Sequence, residues 1–181
     1  MTNLRYYNNF ATLKRDKAIN SMKPFLDEFR QTVEAAAARL LLLTDEQSRI
    51  PRASGKWSPK EIIGHLIDSA AHNHQRFVSA QLTDELVFPG YEQEEWVRVQ
   101  RYDQASWVHL VELWKHYNLH LAHVMSYVPE QTRTKARTKH NLDTIAWRTV
   151  TENDPVTLDY FMRDYAAHLR NHLEQILKVN G

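Results

Sequence analysis

Ten histidines in a chain of 181 residues are the side chains whose number and spacing could do chemistry. Two pairs, His116 with His120 and His168 with His172, have the i, i+4 spacing that brings two side chains together on one helix face. Two neutral imidazoles at that separation can both reach one divalent metal ion. Because the chain has no cysteine, any transition metal would have to be held by histidine and carboxylate groups. The spacing therefore predicts a histidine metal site on a helix.

The apolar pattern around each pair favours His168 and His172 as the ligands. Counted at about 100° per residue, His116 and His120 lie opposite the apolar stripe of their helix, which predicts a solvated polar face. His168 and His172 share the apolar face of theirs. Burying two imidazoles costs free energy unless each has a partner, and a shared metal ion would supply one. The alternative is that one ring hydrogen-bonds a neighbouring helix while the other is half exposed.

A third ligand must come from elsewhere in the fold, since two imidazoles alone seldom make a stable site. His65, His72 and His74 all lie on one predicted helix. The periodicity of that helix leaves all three as candidates.

The elements that must position these histidines are predicted to be helices of a single domain, residues 1–181. With only 4 Gly and 6 Pro, long stretches lack turn-forming residues, which predicts an all-α fold. Apolar residues at spacings of three and four indicate four long helices joined by long crossover connections, as in a four-helix bundle. Their expected bounds are residues 24–43, 58–82, 104–128 and 157–178, with short helices at 9–21 and 91–100. The stretch 130–155 is predicted to be a connection with an extended piece at 144–150.

The start of the second long helix is the most clearly marked. Ser58 is a helix-capping residue, Pro59 suits the first helical position, and Glu61 stands where a capping-box carboxylate reaches back to the cap.

The charge pattern excludes nucleic acid as an expected partner, because 23 Lys and Arg residues are balanced by 22 Asp and Glu. The densest basic run, at Arg133, Lys135, Arg137 and Lys139, is predicted to be a solvated connection without a function. No apolar run is long enough to span a bilayer and the N-terminal residues are polar, so we expect no membrane association and a cytoplasmic protein.

Two segments resemble the signatures of a known family. Residues 56–68, KWSPKEIIGHLID, resemble the second-helix signature of the DinB/YfiT-like superfamily, and residues 165–173, YAAHLRNHL, resemble its last-helix signature. The resemblance implies a four-helix bundle, often a homodimer, with three histidines that bind zinc or nickel. Carried over to this sequence, the implied ligands of the divalent ion are His65, His168 and His172.

The resemblance also implies what such a metal would do. Three neutral imidazoles leave a coordination position open, which is typical of a catalytic site. We expect a metal-dependent enzyme that activates water, as a hydrolase, or a low-molecular-weight thiol, as an S-transferase, toward a small-molecule substrate. The alternative is a bundle that holds a metal or a small ligand without turnover. The chain has neither the Glu-x-x-His pairs of di-iron bundles nor the H-E-x-x-H of metalloproteases.

No catalytic acid or base can be assigned from the sequence, but other residues near the predicted ligands invite a role. Asp68, Asp164 and Glu61 lie three or four positions from a predicted ligand and are candidates to orient it, although a capping role is preferred for Glu61. Four of the five tryptophans could line a pocket but are interpreted as core rather than binding residues, as is usual for aromatic residues at helical spacing. They are Trp57, Trp96, Trp114 and Trp147.

Overall fold

A computed structural model describes residues 3–148 and 150–178 of the chain, with side chains from Met22 onward. In this part of the chain the regular structure is helical, without strands, and two isolated β-bridges join Leu86 to His140 and Arg137 to Val156. The α-helices are α1 Asn3–Leu40, α2 Asp45–Ser48, α3 Pro59–Ser79, α4 Gln93–Gln100, α5 Trp107–Ser126, α6 Glu130–Thr134, α7 Leu142–Ile145 and α8 Leu158–Leu177.

The four long helices α1, α3, α5 and α8 form one bundle. α1 and α3 each pack against both α5 and α8, so that α1 and α3 lie diagonally across the bundle. The apolar stripes meet in a shared core, in which Val33, Leu66, Trp114 and Leu169 are fully buried. The predicted all-α four-helix bundle is therefore confirmed.

The first long helix differs from the prediction at both ends. α1 begins at Asn3, so that the predicted short helix at 9–21 and the helix at 24–43 are one element with Pro24 inside it. Proline removes one helical hydrogen bond but has a helical φ angle, so a long helix with buried side chains on both sides of it can continue. α1 ends at Leu40 rather than at residue 43, because Thr44 already caps α2 through Gln47.

The other three long helices follow the sequence closely. The predicted capping box of α3 is present: Ser58 accepts from the backbone N–H of Glu61, and the Glu61 carboxylate accepts from the Ser58 N–H at 2.7 Å. α3 ends at Ser79, three residues before the predicted end at 82. α5 begins at Trp107 instead of 104 because a 3-10 turn, Tyr102–Gln104, precedes it. α8 lies within one residue of its predicted bounds.

The connection before α8 is more ordered than predicted. The expected extended piece at 144–150 is wrong in its described part, since α7 continues to Ile145 and residues 146–148 are bends; position 149 lies outside the described residues. The prediction of a solvated basic run is wrong for Arg133 and Arg137, which are buried, and right for Lys135 and Lys139, which are exposed. Arg137 is buried because its Nη2 donates to the carbonyl oxygen of Ala80 at 3.1 Å, which ties the connection to the end of α3.

None of the helices in the described ranges has the length and apolar content needed to cross a bilayer.

Candidate metal centre

Three histidine rings converge inside the bundle where α3 packs against α8. His65 on α3 is fully buried, and His168 and His172 lie on consecutive turns of α8. The ring centroids are 5.2 Å apart for His65 and His168, 4.9 Å for His65 and His172, and 4.6 Å for His168 and His172. One ring nitrogen from each lies within 4.8 Å of the others. Of the three candidates on α3, His65 is thus the one that meets the α8 pair.

The donor geometry suits a tetrahedral ion. The Nε2 atoms of His65 and His168 are 3.3 Å apart. Two nitrogens bound to one ion at about 2.0 to 2.1 Å in a tetrahedral arrangement lie roughly 3.3 to 3.4 Å apart. The donor atoms of the other pairs lie within 4.8 Å of one another and would have to approach by at most about 1.5 Å, a movement that side-chain rotations supply. The three rings can therefore hold one divalent ion.

The electrostatic environment keeps the rings in the form that binds metal. Burial, reinforced by the nearby His172, lowers the pKa of His65 and of His168 to about 3. Burial also lowers the pKa of His172. Desolvation disfavours the charged imidazolium, so each ring is neutral near pH 7 and has a lone pair free for a metal.

The carboxylates that were candidates to orient the ligands have other partners. Glu61 is the capping-box residue of α3. Asp68 accepts hydrogen bonds from the Tyr102 hydroxyl at 2.7 Å and from the Gln100 amide at 2.8 Å. In agreement with this, the Nδ1 atom of His65 is buried without a hydrogen-bond partner among the described residues.

Asp164 on α8 is buried rather than solvated and holds a loop over the site. Its carboxylate accepts from the backbone N–H groups of Trp147 at 2.7 Å and of Arg148 at 2.9 Å. This fixes the Trp147 ring 5.4 Å from the ring of His168 and 6.2 Å from that of His172.

Two tryptophans that the sequence analysis assigned to the core therefore flank the site. Trp147 is half exposed and covers the α8 pair, and the ring of Trp57 lies 5.1 Å from that of His65. Trp57 stands directly before the N-cap of α3, the helix that carries His65. This position in the sequence was a signal from which its proximity to the site could have been predicted. Trp147 lies in a connection without periodicity, and no local pattern could have located it. Trp114 is a buried core residue, as expected.

The backbone beside His65 allows a very close approach of another aromatic ring. A Cβ atom added at Gly64 would stand 2.1 Å from Cδ2 of Tyr102, so only glycine fits there. The same tyrosine donates its hydroxyl to Asp68, one turn along α3. The 3-10 turn is thus packed directly against the part of α3 that carries His65.

The remaining histidines do not join this cluster. His72 stacks on Tyr91, with ring centroids 3.9 Å apart, and His74 lies against His120 at 4.9 Å. His116 and His120 are exposed, in agreement with the polar face predicted for α5.

A cavity of about 630 Å³ lies beside the three rings. His168 and His172 are part of its wall, together with polar side chains of α3. An ion held by the three histidines would therefore have room for a further ligand on the side of this cavity.

Comparison with known proteins agrees with this architecture. The family described as the DinB superfamily matches residues 26–176. Among solved structures, YfiT from Bacillus subtilis, described as a probable metal-dependent hydrolase with an unusual four-helix bundle topology, superposes with a TM-score of 0.66. It is 19% identical, and the match covers 83% of each chain. No curated protein matches the sequence. The match over residues 26–176 runs from within α1 into the last turn of α8 and includes both histidine segments, and the chain belongs to the DinB superfamily.

Proposed function

We propose that this protein is an enzyme that binds one divalent metal ion, zinc or nickel, through His65, His168 and His172. The observation that carries the proposal is the convergence of three neutral imidazoles from two helices beside a cavity large enough for a small molecule. An ordinary bundle core would fill this position with apolar side chains, because each desolvated imidazole is costly to bury unless its nitrogens have partners.

A divalent ion bound there would lower the pKa of a coordinated water or thiol toward neutrality and so supply a nucleophile. The protein's own residues prepare the site for this chemistry. The ligand rings are uncharged, Trp57 and Trp147 shield them from solvent, and the open side faces the polar cavity.

Hydrolysis of a small substrate is the reaction we favour, since the similar structure of YfiT is described as that of a probable metal-dependent hydrolase. Transfer of a low-molecular-weight thiol is the second candidate, supported by the resemblance to thiol S-transferases of the same superfamily. Both reactions use the same three ligands and differ in the nucleophile.

Metal analysis of protein purified without a histidine tag tests the first step. We expect one zinc or nickel ion per chain in the wild type and none in His65→Gln or His168→Gln. The matched control is the double variant His116→Gln and His120→Gln, which changes an equally spaced pair on the exposed face of α5 and should keep its metal. Loss of metal in the control alone would refute the assignment.

Activity assays test the second step. The metal-loaded protein is tested with ester, amide and lactone substrates in the absence of thiols, and then with electrophiles in the presence of bacillithiol, mycothiol or glutathione. Turnover without thiol that disappears in His168→Gln supports the hydrolase. Turnover only with thiol supports the S-transferase, and no turnover in either set while metal is bound supports the non-catalytic alternative.

A further inference from the structure

The cavity beside the metal centre has a cation in its wall without a counter-charge. Arg76 on α3 is only 7% exposed and lines the same cavity as His168 and His172. Its Nη2 donates to the carbonyl oxygen of Pro89 at 2.9 Å. In the described part of the chain no carboxylate forms an ion pair with it, and Glu92, at the rim of the cavity, is exposed. A buried guanidinium is costly unless an anion compensates it.

Asp68 and Asp164, the buried carboxylates of α3 and α8, have hydrogen-bond partners other than Arg76, and Oδ2 of Asp68 has none among the described residues. Asp68 accepts hydrogen bonds from Tyr102 and from a glutamine amide. Asp164 accepts from the backbone N–H groups of Trp147 and Arg148. Among the described residues no carboxylate is thus ion-paired with Arg76, and an anion that enters the cavity can reach a guanidinium that lacks an ionic partner.

The spacing along α3 connects this arginine with the metal centre. His65, Ser69, Asn73 and Arg76 lie at positions i, i+4, i+8 and i+11, which fall within about 80° on one side of an α-helix. They form a polar stripe on a helix whose neighbouring positions are core. Eleven residues correspond to about 16 Å along the helix axis.

Asn73, which lies between Ser69 and Arg76 on this stripe, adds a second polar group to the cavity wall. Asn73 is buried and lines the cavity, and its amide nitrogen donates to the carbonyl oxygen of Ser69 at 2.8 Å. Its Oδ1 atom is buried without a partner among the described residues. An N–H or O–H group of a bound molecule would satisfy that oxygen.

We propose that the substrate is an elongated organic acid whose carboxylate binds Arg76 while its reacting group lies at the three histidines. The inference rests on the proposed function for the end of the substrate that lies at the metal, and on Arg76 for the end that carries the carboxylate. A carboxylate is favoured over a phosphate dianion because Arg76 is the one Lys or Arg in the described wall of the cavity, and a guanidinium fork pairs with one carboxylate through two parallel hydrogen bonds.

Probes that carry both ends test the proposal. The monohydroxamates of adipic, pimelic and suberic acid have a metal-chelating group at one end and a carboxylate at the other, and their methyl esters lack only the charge. Binding to the zinc-loaded protein is measured by calorimetry. We expect the best acid to bind roughly ten- to a hundredfold more tightly than its ester, the range for a hydrogen-bonded charge.

Substitutions assign that preference to one side chain. Arg76→Gln should bind acid and ester equally, and Arg76→Lys, which keeps the charge but not the fork, should retain a reduced preference. Arg98→Gln, an exposed arginine on α4 paired with Glu95, is the matched control and should behave as the wild type. Because each variant is compared with itself across the two probes, a change in its stability does not obscure the result.

The outcomes separate this inference from the proposed function. If acid and ester bind the zinc-loaded wild type equally, or if Arg76→Gln keeps the preference, the role of Arg76 is refuted while the metal site stands. If the protein holds neither zinc nor nickel, the proposed function fails, and suberate is compared with its monomethyl ester on the metal-free chain. A preference for suberate that Arg76→Gln removes would still support the anion site, and no preference would refute it.

Discussion

The Nε2 atoms of His65 and His168 lie 3.3 Å apart although 103 positions separate the two residues in the chain. This contact joins α3 to α8 inside the bundle, and the third ring, His172, lies one helical turn further along α8. The geometry of one small polar cluster thus depends on how two distant helices pack.

Zinc should raise the thermal stability of the protein, because an ion shared by α3 and α8 binds only the folded chain. At free zinc about a hundred times the dissociation constant, the free energy of unfolding should rise by about 2.7 kcal/mol. Differential scanning calorimetry with and without zinc measures the change, and a chelator should reverse it. An equal increase in His65→Gln would show that the ion binds elsewhere.

Asp164→Ala should loosen the loop that covers the histidines, since two backbone N–H groups lose their acceptor. The free energy of unfolding should fall by about 1 to 3 kcal/mol, the cost of leaving partly buried donors unpaired. Acrylamide quenching of the Trp147 fluorescence, obtained by subtraction of a Trp147→Phe variant, should increase. Asp154→Ala, on an exposed part of the same connection, should change neither quantity.

Gly64→Ala should destabilise the protein even though alanine is the better helix former by about 1 kcal/mol. The new methyl group would stand 2.1 Å from Cδ2 of Tyr102 and push the ring away from Asp68. We expect a net loss of roughly 1 to 3 kcal/mol in urea unfolding, as for other overpacked sites. Gly90→Ala, with nothing within 4 Å of the added atom, should be tolerated.

A steric cause for the Gly64→Ala effect can be checked in a double-mutant cycle. With the ring removed by Tyr102→Ala, the added methyl group should cost much less than in the wild type. Additive losses in the cycle would contradict the clash.

The ionised carboxylate of Asp45 should stabilise the folded protein at neutral pH, and this stabilisation should be lost in acid. The buried Lys60 ammonium, 2.7 Å from its Oδ1 atom, and then Arg49 lower the pKa of this carboxyl from 3.8 to about 2. Because the folded-state pKa is the lower one, the contribution is complete above pH 3.8 and is lost as the pH falls toward 2. The difference in melting temperature between wild type and Asp45→Asn should therefore narrow in that interval. A difference that is independent of pH would contradict this ion pair.

Local sequence patterns were enough to predict the four long helices. The cap at Ser58 could be predicted because capping involves neighbouring residues of one segment. The bounds of α8 could be predicted because its apolar stripe repeats within one helix. The inward direction of His168 and His172 followed from the same periodicity. The predicted helix start at residue 24 was wrong, because proline is common in the first turn of a helix but Pro24 lies inside α1.

The sequence by itself therefore determined the elements, the faces they bury and the pair of histidines on one face, because these depend on neighbours within a turn or two. Family resemblance, not periodicity, singled out His65 among the histidines of α3. Tertiary structure alone decided that Trp147 covers the pair, that Tyr102 packs on Gly64, and that Arg76 faces the same cavity. Those contacts join residues far apart in the chain, and they arise from the packing of whole helices and connections, which no local pattern encodes.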